Sequence, residues 1–530
     1  MGITSKTRSA PPAVFALDLN CAIYHCIRKV QKHTPYTPES QHKWESALHD
    51  QVVAYIKQMV RIVAPSEKVY VAVDGVAPMA KIKQQRTRRF KSALTADEEA
   101  RIKAEARGEV YVSQPRWDSN AITPGTRFMA GLATALRAYA RTAPSKIVVS
   151  PADEPGEGEQ KIVQWARVNK PRSMVVYGLD ADLIVLALWM NATTATQVDL
   201  FREEVEFNGA IKSDATDEEQ YLYLDANILS RALHSTHGRM GQPQDEFIRD
   251  FVGLMNLLGN DFVPHGMALK IRDDGVQRLL DIQNTKLSAP LVFQDSKQGW
   301  HYNVGALKTI FTVLVADEPA TMLKNIKKKL EARVGATAGK SAEERALALH
   351  NDTPVIWAAE SVLVNRVPLP GYEYPQLLLK PDWAAIYDAE ALWGAKRTQT
   401  AQKYLQALAW TLAYYSGAQV DTHWYYPWHL PPRHATILAA LEAQEYPIPV
   451  PASSRIPLKP EEQLAMVLPE SSFHLLPAEY KKLLTGFPVF WPHVWGTYSF
   501  GRRFLWECEP LIPLIQPSEI GTMIEMALED

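Results

Sequence analysis

Acidic residues stand at or just beyond the ends of short apolar runs. They are Asp18, Asp74, Glu157, Glu159, Asp180 and Asp182, with Asp261 following an apolar helical stretch. Because the carboxyl ends of parallel strands share one edge of a sheet, these loops can bring the acids into one small volume. Hard oxygen ligands suit Mg²⁺ or Mn²⁺, and a pair of such ions can stabilise the attacking and leaving oxygens of a phosphodiester hydrolysis. We therefore predict a two-metal centre for phosphodiester hydrolysis.

The alternative is that each acid only caps a helix or a turn, since Asp is a favoured N-cap residue. That explanation weakens when every expected strand carries an acid at its end. Glu157 and Glu159 are two residues apart, so in the middle of a helix they would point in different directions. They can converge only if a helix begins at this point, which the preceding Pro155 and Gly156 favour.

A basic segment follows Asp74. Lys81, Gln85, Arg88 and Arg89 are spaced i, i+4, i+7 and i+8, so they share one face of a helix. Arginine offers a fork of donors and lysine a point charge, which together suit a terminal phosphate. A solvated basic face is the alternative, and the absence of Glu partners four residues away counts against it.

The elements that must position these residues alternate along the first half of the chain. Apolar, strand-like runs at 14–17, 69–73, 147–149 and 174–177 are separated by stretches of helical periodicity. This alternation predicts an α/β domain with a buried parallel or mixed sheet flanked by helices. We expect an N-terminal segment at 1–13, a nuclease domain at 14–275, a mostly helical connecting region at 276–400 with a flexible stretch at 335–341, and a second core region at 401–530.

Bulk composition adds little about function. The chain has 530 residues, 22% of them charged, and a formal net charge of −2, so a nucleic-acid partner must be recognised by a local patch. The three cysteines, Cys21, Cys26 and Cys508, cannot form a disulfide framework and are expected as buried thiols. With neither a signal peptide nor a membrane span in evidence, we expect a cytoplasmic protein, the nucleus being the alternative.

Several long segments resemble the motifs of the Xrn-type 5′→3′ exoribonucleases, in the same order. They are DGVAPMAKIKQQRTRRF, WDSNAITPGTRFM, PGEGEQKI, GLDADLIVL, LLGNDFVPH and, further on, HWYYPWHLPP. The resemblance runs from about Phe15 to about Leu514, with a diverged middle. It implies a domain similar to PIN and flap nucleases, with a C-terminal module packed over the active site.

The resemblance also implies roles for individual residues. The seven acids would bind two Mg²⁺ or Mn²⁺ ions, with Asp74, Glu157, Glu159, Asp180 and Asp182 as the catalytic set, and Lys81, Gln85, Arg88 and Arg89 would hold the 5′-phosphate. The family's stacking histidine is replaced by Tyr24, with His25 beside it, and either ring can stack on a base. Trp424 is a further candidate for the terminal base, against the alternatives that it is a core residue or that Trp410 takes the role.

The chain departs from the family in three other ways. The family's N-terminal helix is reduced to a short Ser/Pro segment, Met79 and Lys83 replace an Arg and an Asn in the basic helix, and the sequence stops where larger relatives continue into accessory domains.

We expect a monomeric, processive exoribonuclease that degrades single-stranded RNA bearing a 5′-monophosphate to nucleoside 5′-monophosphates. The alternatives are a flap endonuclease or 5′→3′ DNA exonuclease, and a degenerate nuclease kept as an RNA-binding structural protein.

Overall fold

The structure is a computed structural model of the chain. It describes residues 2–113, 115–204, 221–332, 341–356, 358–368, 370, 376–444, 447–453 and 455–529. Of the stretch predicted to be flexible, 335–341, all but Ser341 lies outside these ranges. Within them, no helix combines the length and the apolar character needed to cross a membrane.

A seven-stranded mixed sheet forms the centre of the first half, in the order β1-β7-β6-β5-β2-β3-β4. Its strands are β1 Thr4–Ser5, β2 Val14–Asp18, β3 Lys68–Ala72, β4 Ile147–Ser150, β5 Ser173–Tyr177, β6 Gln197–Glu203 and β7 Tyr221–Asp225. The five strands β2 to β6 run parallel, and β7 and β1 add an antiparallel edge. The α/β prediction is confirmed, and each of the four predicted strands is present with its ends shifted by a residue or less.

Strand β2 is buried on both faces because its residues alternate between two hydrophobic cores. Val14 and Ala16 belong to the core that extends under the C-terminal half, whereas Phe15 and Leu17 belong to the core on the other side of the sheet. Such burial explains why the strand is a continuous apolar run rather than an alternating one. The chain leaves β2 toward β3 and β4 and returns on its other side as β5. The order of the strands therefore reverses at β2.

Helices cover both faces of this sheet. In the first half they are α1 Asn20–His33, α2 Gln41–Val63, α3 Met79–Ala106, α4 Arg127–Thr142, α5 Gly158–Asn169, α6 Asp182–Thr193, α7 Ala226–His237 and α8 Gln244–Leu257. The periodic apolar residues of α2, from Leu48 to Val63, are all buried, as their spacing predicts.

The connecting region is helical but also contains two hairpins that periodicity does not predict. Its helices are α9 Gly275–Lys286, α10 Val304–Leu330, α11 Ala342–Asn351, α12 Thr353–Ile356 and α13 Trp383–Leu392. The hairpins pair β8 Val292–Gln294 with β9 Trp300–Tyr302, and β10 Val364–Val367 with β11 Gln376–Leu379. The division of the chain at residues 275 and 400 stays a prediction.

The C-terminal segment packs against α3 and against the helices that cover one face of the sheet. It contains α14 Arg397–Tyr415, α15 His434–Glu442, α16 Pro460–Val467, α17 Lys482–Gly486, α18 Pro517–Glu529 and the hairpin of β12 Gly496–Tyr498 with β13 Glu509–Leu511. The buried Arg86 of α3 donates to the backbone carbonyls of Met466, Phe490 and Pro513. One guanidinium thus links three separate parts of this segment to the basic helix.

Candidate active site

The predicted acids lie at the carboxyl edge of four neighbouring parallel strands. Asp18 ends β2, Asp74 follows β3, and Asp261 follows α8. Glu157 is the N-cap residue of α5 and Glu159 lies in its first turn, so a helix does begin between them. Asp180 follows β5, and Asp182 is the first residue of α6. This edge includes the end of β2, the strand at which the strand order reverses. Such a point is the usual place for a ligand in an open α/β sheet.

Gly158 allows the start of α5 to approach two of these acids. Its N–H donates to Asp74 Oδ1 at 2.7 Å, and the N-terminal end of the helix favours that negative charge. A Cβ at Gly158 would stand only 2.4 Å from Asp18 Oδ1 and 3.4 Å from Asp74 Oδ1. Only glycine therefore permits this approach without displacing Asp18.

Burial and mutual repulsion make the acids hard to ionise together. Burial raises the pKa of Asp18 well above its usual value, and Asp74 and Asp180 raise it further. Burial, followed by the charge of Glu157, raises the pKa of Glu159 well above its usual value. Burial and Asp261 raise the pKa of Asp182 to about 6. Such a cluster favours the uptake of cations, or of protons where no cation is available.

Lys81 supplies one positive charge inside the cluster. Its ammonium lies 2.9 Å from Glu157 Oε1 and 2.6 Å from Asp261 Oδ2. Burial lowers the pKa of Lys81, but Glu157 and Asp261 outweigh it and raise the pKa well above its usual value. Lys81 thus bridges two of the predicted metal ligands and faces carboxylates in this structure, although the sequence predicts that it faces a phosphate.

The donor set fits a hard divalent cation. All seven side chains offer carboxylate oxygens, and Asp18 Oδ1 is buried with no hydrogen-bond partner among the described residues. In the described ranges, no three His, Cys, Asp or Glu side chains are grouped so as to enclose an ion as they stand. Two of the seven acids, Glu157 and Asp261, are paired with Lys81. Lys81 would have to move away from them before they could bind an ion.

Two tyrosines of α14 reach into the cluster from the C-terminal segment. The Tyr414 hydroxyl donates to Glu157 Oε2 at 2.7 Å, and the Tyr415 hydroxyl lies 3.5 Å from Asp182 Oδ2. Both rings are buried. Sequence reasoning misses these residues because Tyr414 is 257 positions from its partner and neighbouring tyrosines carry no spacing signal.

The four residues of the predicted phosphate face lie on α3 but in different surroundings. Gln85 is buried and accepts a hydrogen bond from Gln463 Nε2 at 3.3 Å. Arg89 donates to Thr123 Oγ1 at 2.5 Å and Asn120 Oδ1 at 3.2 Å, and burial lowers its pKa to about 10. Arg88 is exposed and has no ion pair among the described residues. Of the four, Arg88 is therefore the residue most open to a ligand.

The candidate stacking residues differ in exposure. Tyr24 is 44% exposed on α1 and lies near enough to Arg89 to affect its pKa. His25 is buried against Tyr55, with ring centroids 4.7 Å apart, so it faces the core. Trp424 is 8% exposed, and it stacks on the fully buried Trp410 at 6.0 Å. Tyr24 is thus the most accessible ring of the four.

Comparison with protein families gives two matches. The family described as XRN 5′-3′ exonuclease N-terminus matches residues 5–204, and that described as Xrn1 helical domain matches residues 386–526. The chain belongs to the Xrn family. The first match contains α3 and six of the seven acids, and the second contains the α14 tyrosines, so both parts of the site fall within Xrn regions.

Curated relatives share this similarity over most of the chain. The human protein named 5′-3′ exoribonuclease 1 is 28% identical over 96% of this chain and 32% of its own length. The Arabidopsis thaliana protein named 5′-3′ exoribonuclease 2 is 26% identical over 97% of this chain and 62% of its own length. The Kluyveromyces lactis protein named 5′-3′ exoribonuclease 2 is 33% identical over 51% of this chain and 31% of its own length. The chain thus spans between about a third and two thirds of the length of these relatives.

Proposed function

We propose that this chain is a 5′→3′ exoribonuclease that acts on single-stranded RNA with a 5′-monophosphate. The observation that carries the proposal is the cluster of mutually repelling carboxylates at the carboxyl edge of the sheet, three of which, Asp18, Glu157 and Glu159, are buried. Its membership of the Xrn family and the names of the curated relatives agree with this activity.

The seven acids would hold two Mg²⁺ or Mn²⁺ ions. Such ions, when bound, stabilise the charge that develops on the attacking and leaving oxygens of a phosphodiester hydrolysis. Among the described residues Asp18 Oδ1 has no hydrogen-bond partner, and the Tyr414 hydroxyl donates to Glu157; both features support such a role. Lys81 would keep part of the charge balanced before an ion arrives.

The end of the RNA would be recognised beside this cluster. Arg88 is free to approach a 5′-phosphate, Arg89 is already held in position by Asn120 and Thr123, and Tyr24 offers an exposed ring to the first base. Cleavage on the 3′-oxygen side of the first phosphodiester would release a nucleoside 5′-monophosphate. The shortened strand would again carry a 5′-phosphate and so be a substrate for the next cleavage; we propose that a monomer carries out these cleavages processively.

End selectivity tests this proposal. RNAs of one sequence with a 5′-monophosphate, 5′-hydroxyl or 5′-triphosphate are incubated with the chain in Mg²⁺ or in excess EDTA. A hydroxyl end loses charge-assisted hydrogen bonds worth about 1.5–3 kcal/mol each, so we expect the monophosphate RNA to be hydrolysed at least about 10²-fold faster. Equal rates on all three ends, or cuts in a circular RNA, would favour an endonuclease.

Arg88→Ala refines the same experiment. It should remove much of the preference for the monophosphate while leaving the slow attack on hydroxyl-ended RNA, because it does not touch the acid cluster. Arg101→Ala is the matched control, since Arg101 is an exposed arginine on the same helix whose nearest carboxylate is 4.0 Å away. If Arg88→Ala keeps the full preference for the 5′-monophosphate, the 5′-phosphate binds elsewhere.

A further inference from the structure

A cavity of about 820 Å³ lies against a second face of α3. Ala80, Gln84, Thr87 and Lys91 line it, and their spacing of i, i+4, i+7 and i+11 places them on one side of the helix. Lys81, Gln85 and Arg89 do not line the cavity. Arg88 lies at the boundary between the two faces of α3 and does line the cavity. The cavity is therefore distinct from most of the predicted phosphate face. Its volume is within the range of small-molecule sites.

The cavity wall carries an excess of positive charge. Nine Lys and Arg side chains line it against five Asp and Glu side chains, in a chain of net charge −2. Each of the five acids already pairs with a Lys or Arg. In the described part of the chain, five lining cations have no carboxylate partner: Lys83, Arg88, Lys91, Lys270 and Arg503. An anion inside the cavity would balance them.

Three of these lysines are held in place by backbone carbonyls. Lys83 donates to the carbonyls of residues 426, 427 and 428, Lys91 to those of residues 506 and 508, and Lys270 to that of residue 501. These contacts fix the ammonium groups without neutralising them. Burial lowers the pKa of Lys83 to about 8, which reflects the cost of an unbalanced charge at that position.

Polar atoms and aromatic rings complete the wall. Gln84 Oε1 and Arg502 Nε are buried without a hydrogen-bond partner among the described residues. Tyr425, Trp428 and Trp506 also line the cavity, and Trp506 is 52% exposed. Unpaired polar atoms, cations and flat rings together match the phosphate, sugar and base of a nucleotide.

The cavity adjoins the acid cluster through Asp261. This residue lines the cavity, accepts from Gln84 Nε2 at 3.2 Å and pairs with Lys81 inside the cluster. We propose that the cavity is a second nucleotide-binding subsite, which takes a nucleoside 5′-monophosphate. The identity of this ligand as a reaction product rests on the proposed function. A nucleotide within the RNA strand carries the same phosphate, sugar and base, and it could also occupy the cavity.

Binding of adenosine 5′-monophosphate to the full chain, without divalent metal or RNA, tests the subsite by isothermal titration calorimetry. Arg503→Glu and Trp506→Ala change exposed side chains that lie outside the predicted catalytic and phosphate-binding set. Each should weaken binding by at least about fivefold. Lys297→Glu, an exposed charge reversal that is not in the cavity wall, should leave binding unchanged.

Two further measurements separate the sources of the nucleotide. If it is released product, both variants will weaken the inhibition of RNA hydrolysis by the monophosphate in the same proportion. If it belongs to the RNA strand, they will also weaken binding of 5′-hydroxyl RNA, which a product site would leave unchanged. Unchanged binding of adenosine 5′-monophosphate in both variants would overturn the subsite. Nucleotide binding by a chain that hydrolyses no RNA would refute the proposed function alone.

Discussion

The hydroxyl of Tyr414 offers a precise way to perturb the acid cluster. It donates to Glu157 Oε2 at 2.7 Å, while Lys81 lies 2.9 Å from the other carboxylate oxygen. Tyr414→Phe removes this hydrogen bond alone, because the ring can remain stacked on Trp410 at 4.9 Å. The substitution therefore releases one oxygen of Glu157 without opening a large cavity.

The expected loss follows from the charge on the acceptor. A hydrogen bond to a charged group contributes about 1.5–3 kcal/mol, and loss of a partner that orients a metal ligand typically costs about 10–100-fold in metal affinity or activity. We expect Tyr414→Phe to lower both Mn²⁺ affinity and the rate of single-turnover RNA hydrolysis within that range.

The pH dependence of the hydrolysis rate gives a second, independent test of the role of Tyr414. Burial raises the pKa of Glu157, whereas Lys81 and the Tyr414 hydroxyl lower it. Without the hydroxyl the carboxylate takes up its proton at a higher pH. The acidic limb of the pH–rate profile should therefore move to higher pH in Tyr414→Phe.

Electron paramagnetic resonance of free Mn²⁺ measures the affinity without RNA. Tyr387→Phe is the matched control, because its buried hydroxyl donates to the Pro431 carbonyl at 3.0 Å rather than to an acid. It should lose a comparable amount of stability and keep its Mn²⁺ affinity. If Tyr414→Phe also keeps its Mn²⁺ affinity and its acidic limb, the tyrosine does not position Glu157.

Three other outcomes are expected. Asp182→Ala should slow hydrolysis of monophosphate RNA by at least about 10²–10³-fold with its circular dichroism unchanged; wild-type rates in this variant or in EDTA would contradict the metal mechanism. Tyr24→Ala should weaken single-strand binding by about 1–3 kcal/mol and Tyr24→Phe should not, as fluorescence anisotropy can show; equal binding by all three would place the stacking ring elsewhere. Without divalent ions, the contribution of Asp182 to the free energy of unfolding, taken as the difference from Asp182→Asn, should fall as pH rises from about 4 to about 6, because folded Asp182, with its pKa near 6, keeps a proton that the unfolded side chain loses near pH 3.8. Urea titrations with and without Mg²⁺ measure this, and Mg²⁺ should reduce the fall.

The parallel part of the sheet was predictable because its signals are local. Each strand from β2 to β5 is a short apolar run, and the intervening helices repeat their apolar residues at helical spacing. The fifth parallel strand, β6, the antiparallel edge of β7 and β1, and the hairpins of β8 with β9 and of β10 with β11 were not predicted. Strand β1 has only two residues, both exposed, and β6 carries charged residues among its apolar ones, so neither strand is a continuous apolar run.

The sequence by itself determined the acid cluster, since an acid after each parallel strand must arrive at the same edge of the sheet. It also placed Lys81, Gln85, Arg88 and Arg89 on one helix. The surroundings of each residue on that helix were decided by tertiary contacts: Lys81 meets the acids, Gln85 is covered by α16, and Arg88 stays exposed. The tyrosine contacts and the basic cavity likewise depend on how the C-terminal segment packs on α3 and α5. Helical spacing defines only the direction of a side chain from its own helix, and what it meets there depends on residues hundreds of positions away.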